Sequence, residues 1–187
     1  STAMLAGNSL LTLAYEILSS KKLKIADKIK NDLIQSLSKC VGHSGLAGGQ
    51  YFDLSFENKK ISKKKIINMQ IKKTGELFGF CCESIAIIKK HNYKRRKLLK
   101  KIGLNIGLLF QIADDLIDYK GDSKVVGKLT KKDFIKGKAT LVNLLGYYDA
   151  LNFAKNLKNK IDKDIKKYGR KSNDLLKSVD FILKRKL

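Results

Sequence analysis

The 187-residue sequence has no proline and no tryptophan, only three cysteines and two histidines, and fewer than half as many acidic as basic residues (17 against 40). Without proline, little can interrupt a helix except the 14 glycines, and these do not gather into a Gly/Ser linker. Cys40, Cys81 and Cys82 are odd in number, contain no Cys-x-x-Cys pair and have no clustered histidines. That excludes a disulfide framework and a zinc site, and it points to a reducing, cytoplasmic setting. Long apolar runs are also lacking. The most apolar stretch, Ile102 to Ala113, is broken by Asn105 and Gln111 and falls short of the ~20 residues that a bilayer requires. It reads as a core helix, with no membrane insertion.

Arginine is scarce too, represented by Arg95, Arg96, Arg170 and Arg185. The net charge of +23 invites a polyanionic partner. Readout of phosphates and bases, however, normally favours the planar arginine fork, whereas here the charge is lysine spread over many segments. The reading is one of solvated helix faces and no nucleic-acid partner, with a field that helps recruit small phosphorylated anions.

Hydrophobic residues make up 43% and charged residues 30%, ordinary values for a soluble globule, and the length suits a single domain spanning 1–187. From Thr2 to Leu18 apolar residues recur almost all round a helix, which therefore wants burial. Ile25, Ile29, Leu33, Leu37 and Val41 form a stripe of step four on an amphipathic helix. Ser62 opens a long helical pattern to about Lys90, with Ile66, Ile67, Ile71, Leu77, Phe78, Phe80, Ile85 and Ile88 as expected core. Tyr93 to Tyr119 follows, ending at Gly121. Residues 121 to 137 read as a functional loop, and two further helices span Leu141 to Tyr168 and Ser172 to Leu187. No strand-like alternation is sustained. The expected architecture is all-α, a single helical bundle.

Chemistry concentrates on the fourth of these helices. Gln111, Asp114, Asp115, Asp118 and Asp122 are related by steps of three and four, so they line one side of an otherwise apolar helix. Like charges at that spacing destabilise a helix, and burial adds a desolvation cost. A hard divalent cation resolves the conflict. Mg²⁺ takes one or two carboxylates together with a substrate phosphate, which makes diphosphate the natural ligand. Neutralisation by neighbouring lysines is the alternative that spacing alone leaves open.

The segment Phe110-Gln111-Ile112-Ala113-Asp114-Asp115-Leu116-Ile117-Asp118-Tyr119-Lys120-Gly121-Asp122 resembles the second aspartate-rich motif of the trans isoprenyl diphosphate synthases, or polyprenyl synthetases. Gly48-Gly49-Gln50-Tyr51-Phe52-Asp53-Leu54 is similar to the Gly-Gln-x-x-Asp-Leu segment of that family. Lys73-Thr74-Gly75 resembles its Lys-Thr-Gly element, and Leu5-Ala6-Gly7-Asn8-Ser9-Leu10 its Leu-x-Gly-Asp-x-Leu helix. The four stand in family order, and the bacterial farnesyl (geranyltransferase) type is the most similar subgroup.

The resemblance implies a helical bundle of the isoprenoid synthase type and a prenyltransferase that joins isopentenyl diphosphate to an allylic diphosphate, dimethylallyl or geranyl, to give farnesyl or a similar short-chain product. It implies Asp114, Asp115 and Asp118 as Mg²⁺ ligands, with Gln111 beside them. Lys73, Lys128 and Lys138 would bind diphosphate, and Thr74 would face the reacting carbon. It also implies a homodimer. Gln50 and Asp53 are expected to be supporting residues, and His43, His91, Cys81 and Cys82 to have no catalytic role.

The sequence departs from the family pattern in lacking the first aspartate-rich motif, the arginine pair after it and the residues that bind isopentenyl diphosphate. Asn8 replaces the usual Asp, and Thr140-Leu141-Val142 lacks the usual Tyr-Pro. The expectation is therefore the C-terminal part of a longer enzyme, carrying half of the metal site and turning over poorly by itself. The alternative is a non-catalytic helical partner, either a regulatory subunit of a heteromeric synthase or a basic nucleic-acid binder.

Overall fold

A computed structural model describes residues 1–120 and 137–185, and all regular structure among them is helical. The helices are α1 (Thr2–Ser19), α2 (Asp27–Val41), α3 (Leu46–Ser55), α4 (Lys63–Gln70), α5 (Glu76–Ile88), α6 (Tyr93–Lys120), α7 (Leu141–Leu145), α8 (Tyr147–Lys166) and α9 (Asn173–Lys184). A wide π-type turn, Ile71–Gly75, joins α4 to α5 without a break, and a 3₁₀ turn, Gly169–Ser172, leads into α9.

The organising element is α6. Asn92 caps its start through Oδ1, which accepts from the Arg95 N–H at 3.0 Å. Ile102, Ile106, Leu108, Leu109, Ile112 and Leu116 are buried along it, and they meet Ile66 of α4, Leu141 and Val142 of α7, Ala150, Ala154, Ile161 and Ile165 of α8, and Val179 and Ile182 of α9. At ~1.5–3 kcal/mol for each fully buried aliphatic side chain, those six residues of α6 contribute on the order of 10 kcal/mol before entropy is charged against them. Asp115 and Asp118 are buried on the same helix, where a carboxylate needs bonded partners to offset a desolvation cost of several kcal/mol.

Two pairs of glycines let the π-turn and α5 approach α6 backbone to backbone. A Cβ on Gly103 would lie 2.2 Å from the Phe78 carbonyl oxygen and 2.7 Å from Gly79 Cα, and one on Gly107 would lie 2.6 Å from Gly75 Cα. Gly75, which ends the π-turn, and Gly79 of α5 are four residues apart, as are Gly103 and Gly107 of α6.

Several expectations need correction. The turn at Ile71–Gly75 interrupts the α-helical period, so Gly79, Ala86 and Ile87 carry the buried side of α5, while Leu77, Ile85 and Ile88 are exposed. The expected helix from Leu141 to Tyr168 is broken at Gly146, where φ is +82°. No residue of α1 is buried, and Met4, Leu5, Leu10, Leu13 and Ile17 are exposed. Among the described residues its end meets the interior, where Leu18 packs on a small cluster of Ile29, Leu33 and Ile87. Of the expected stripe, Ile29, Leu33 and Leu37 are buried on α2, whereas Ile25 precedes the helix and, like Val41, is half-buried. No helix among the described residues is long and apolar enough to cross a membrane.

Candidate active site

Four segments converge where α3, the π-turn, the middle of α6 and the stretch before α7 meet. Gly49 lets α3 sit directly on the π-turn, since a Cβ there would lie 2.2 Å from the Lys73 backbone nitrogen. One turn later the same helix presents Asp53, which is 6% exposed. Its Oδ2 accepts from Lys73 Nζ at 2.6 Å, and Lys138 Nζ lies 3.5 Å from the same oxygen.

Lys138 is fixed through its main chain. Its carbonyl oxygen accepts from the Thr140 N–H at 3.0 Å and from Asn143 Nδ2 at 2.8 Å. Thr140 Oγ1 accepts from the Asn143 N–H at 3.0 Å and caps α7. Just before Lys138, Gly137 adopts φ +62° and its carbonyl oxygen accepts from the Asn58 N–H at 2.8 Å. Two ammonium groups separated by 65 positions in sequence are thereby brought to one carboxylate oxygen.

The same crevice holds a chain of hydrogen bonds through side-chain amides. Thr74 Oγ1 donates to Gln111 Oε1 at 2.8 Å, Gln111 Nε2 donates to Asp115 Oδ1 at 2.9 Å, and Gln70 Nε2 donates to Asp115 Oδ2 at 2.7 Å. Both oxygens of Asp115 are thus engaged, which fixes its orientation. Gln70 is itself buried, and its Oε1 has no partner. Asp53, Gln70, Lys73, Gln111, Asp115 and Lys138 wall a crevice of about 20 Å³, enough for a single water-sized occupant. A buried acceptor without a donor, on a residue that lines such a crevice, suits a hydrogen-bonding group carried in from outside.

The aspartates expected to act together do not share one surroundings. Asp115 is bonded to Gln70 of α4 and Gln111 of its own helix, whereas Asp114, 38% exposed, faces Arg185, with a guanidinium nitrogen 3.8 Å from its Oδ1. Arg185 also donates to the Phe110 carbonyl oxygen at 3.4 Å and lies 4.1 Å above the Phe110 ring. Asp118 is buried one turn beyond Asp114. Among the described residues, no three His, Cys, Asp or Glu side chains converge closely enough to hold an ion by themselves. Carboxylates remain the hard-oxygen donors that Mg²⁺ prefers, and that ion ordinarily completes its shell with water and phosphate oxygens. The donor set fits such an ion on those terms. Lys128 and Asp122 lie outside the described residues.

Sequence reasoning missed Gln70 and Arg185, which belong to no short motif. Gln70 precedes the Lys-Thr-Gly element by three positions, one helical turn, and that spacing is the only signal that could have flagged it.

A model of the family described as polyprenyl synthetase matches residues 1–179. The chain belongs to the polyprenyl synthetase family. Its relatives include the farnesyl diphosphate synthase of Micrococcus luteus, 38% identical over 145 residues, covering 78% of this chain and 49% of that protein. The farnesyl diphosphate synthase of Escherichia coli K12 is 32% identical over 189 residues, covering 98% of this chain and 63% of that protein.

Among solved structures, a geranyltransferase from Helicobacter pylori complexed with magnesium and isoprenyl diphosphate has a TM-score of 0.81 at 30% identity, covering 98% of this chain and 59% of that one. An FPP/GFPP synthase from Zymomonas mobilis has a TM-score of 0.81 at 37% identity, covering 96% and 60%. The chain therefore spans about half to two thirds of the length of the relatives it matches.

Proposed function

We propose that this chain supplies the allylic-diphosphate side of a trans-prenyltransferase that condenses isopentenyl diphosphate with dimethylallyl or geranyl diphosphate. Farnesyl or a similar short-chain prenyl diphosphate would be the product. The observation that carries this reading is the sharing of one Asp53 oxygen by Lys73 and Lys138, opposite Asp115.

Lys73 and Lys138 bind the diphosphate oxygens, joined by Lys128, and oppose the charge that develops as the allylic carbon–oxygen bond ionises. Asp114, Asp115 and Asp118 are the Mg²⁺ ligands. When bound, that ion supplies further electrostatic stabilisation of the leaving diphosphate. Gln111 orients Asp115 and, through its Oε1, holds the Thr74 hydroxyl toward the reacting carbon. Gln70 grips the other oxygen of Asp115. A homodimer belongs to the same reading, because a second copy would cover the exposed apolar residues of α1, and so does a cytoplasmic setting.

The chain by itself is expected to form no product from the two diphosphates plus Mg²⁺, and robust turnover would overturn that part. In the intact protein, Asp114→Ala with Asp115→Ala abolishes Mg²⁺-dependent synthesis while far-UV circular dichroism stays helical. Unchanged synthesis would sink the assignment.

A further inference from the structure

Beyond the diphosphate site, the far end of α6 carries two cavities with a common wall. The first, about 610 Å³, is lined by Lys94, Lys97, Lys101 and Lys167 together with Arg95 and Tyr168. The second, about 590 Å³, is lined mainly by apolar groups, among them Cys82, Ile85, Leu99, Ile102, Ile165 and Leu175. Arg95 and Tyr168 border both, with the guanidinium carbon 5.7 Å from the ring centroid, and His91 and Lys171 stand at the edge of the second.

The cations of the first cavity are badly placed for a protein with nothing bound there. Lys94, Arg95 and Lys97 sit at the beginning of α6, the positive end of the helix dipole, and Lys94, Lys97 and Lys101 follow at steps of three and four, where like charges repel. No acidic residue lines either cavity among the described residues. The acid that feels this cluster, Asp164, is already bonded to Lys167 at 2.7 Å. An anion seated among these side chains relieves both penalties. Adjacent to it is a cavity whose size falls in the roughly 300–1,000 Å³ range of small-molecule sites and whose lining suits hydrocarbon.

We propose that the two cavities form one site for an amphiphilic phosphate, with the head among Lys94, Lys97 and Lys101 and a single hydrocarbon chain between α5, α6 and α9. Lys101 and Asp115 are 14 residues apart on one helix, or about 20 Å at ~1.5 Å per residue, so this site is separate from the aspartates. It needs no divalent metal.

The test is calorimetric titration of decyl phosphate, below its micelle concentration and in EDTA, into the protein. One saturable site is expected, at least about tenfold tighter than for inorganic phosphate or decanol. Lys97→Glu with Lys101→Glu should weaken it by about tenfold, and Ile85→Trp, which fills the apolar cavity from an exposed position, by about fivefold. Lys73→Ala should leave it unchanged. Equal affinity for inorganic phosphate, no loss in either cavity variant of unchanged thermal stability, or loss in Lys73→Ala would each overturn the proposal. So would association with phosphatidylglycerol vesicles without saturable binding of the monomer, which would make the patch a membrane-facing surface.

Discussion

Replacing Gly49 with alanine tests whether the close seating of α3 on the π-turn builds the lysine pair. The added Cβ would lie 2.2 Å from the Lys73 nitrogen, 2.6 Å from its Cα and 2.7 Å from the Lys72 carbonyl carbon, all backbone atoms that cannot swing aside. Ordinary contact begins at 3.4 Å, so α3 must retreat by about 1.2 Å. Overpacking of this kind costs up to ~3 kcal/mol, and the gain in helix propensity returns about 1, for a net loss near 2 kcal/mol.

For a chain of this size the corresponding fall in Tm is roughly 4–8 °C, read by circular dichroism. The same displacement stretches the 2.6 Å bond between Lys73 and Asp53, so diphosphate affinity should fall as well. Gly7→Ala is the matched control. Its Cβ meets nothing within 4 Å, so it should raise stability by about 0.5–1 kcal/mol. A Gly49→Ala protein as stable as the unaltered one would refute the reasoning.

Thr140→Ala removes the cap of α7 and should cost about 1 kcal/mol, or roughly 2–4 °C in Tm, with a larger relative effect on diphosphate binding because the Lys138 carbonyl is held by the same turn. Gly107→Val should fail to accumulate as folded protein, since it must push α6 away from the backbone of the π-turn at Gly75; a normal Tm would contradict the packing. Alkylation with iodoacetamide near neutral pH should modify Cys81 alone, and all three cysteines in denaturant, as counted by mass spectrometry. Burial pushes the Cys40 thiol up to about 12 and the Cys82 thiol up to about 11 from an ordinary 9.0. Folding therefore protects the neutral thiols, a contribution that is complete below pH 9 and is lost as pH rises from there toward 12. The urea midpoint should fall over that range, less so in Cys40→Ala.

Where one face of one helix decided the matter, the sequence was a good guide. The stripe on α2 and the apolar run of α6 were legible because burial follows a 3.6 period within a single element. The helical segments around the π-turn were legible as one pattern, but the turn was not, because a single accommodated residue leaves no compositional mark and only shifts which side chains face inward. The exposure of α1 shows that apolar periodicity states a requirement for burial without naming what meets it. At the site, motifs located Lys73, Thr74, Gln111, Asp115 and Lys138. The bond from Gln70 to Asp115 and the approach of Arg185 to Asp114 arise from tertiary packing between lone polar residues, which no local spacing records. Asp53 was expected to be a supporting residue, and its joining of two distant lysines was not foreseeable from spacing.

The double claim on one Asp53 oxygen has a consequence for discrimination. The two ammonium groups already have an anion, so a ligand must compete with an internal carboxylate rather than enter an uncompensated positive field. A monoanion offers little more than Asp53 does, and it would have to separate the lysines from a partner held by the fold. A group with several charged oxygens can take both lysines at once and leave Asp53 to the crevice. On the proposed reading the arrangement would act as a threshold on charge number, favouring diphosphates over carboxylates.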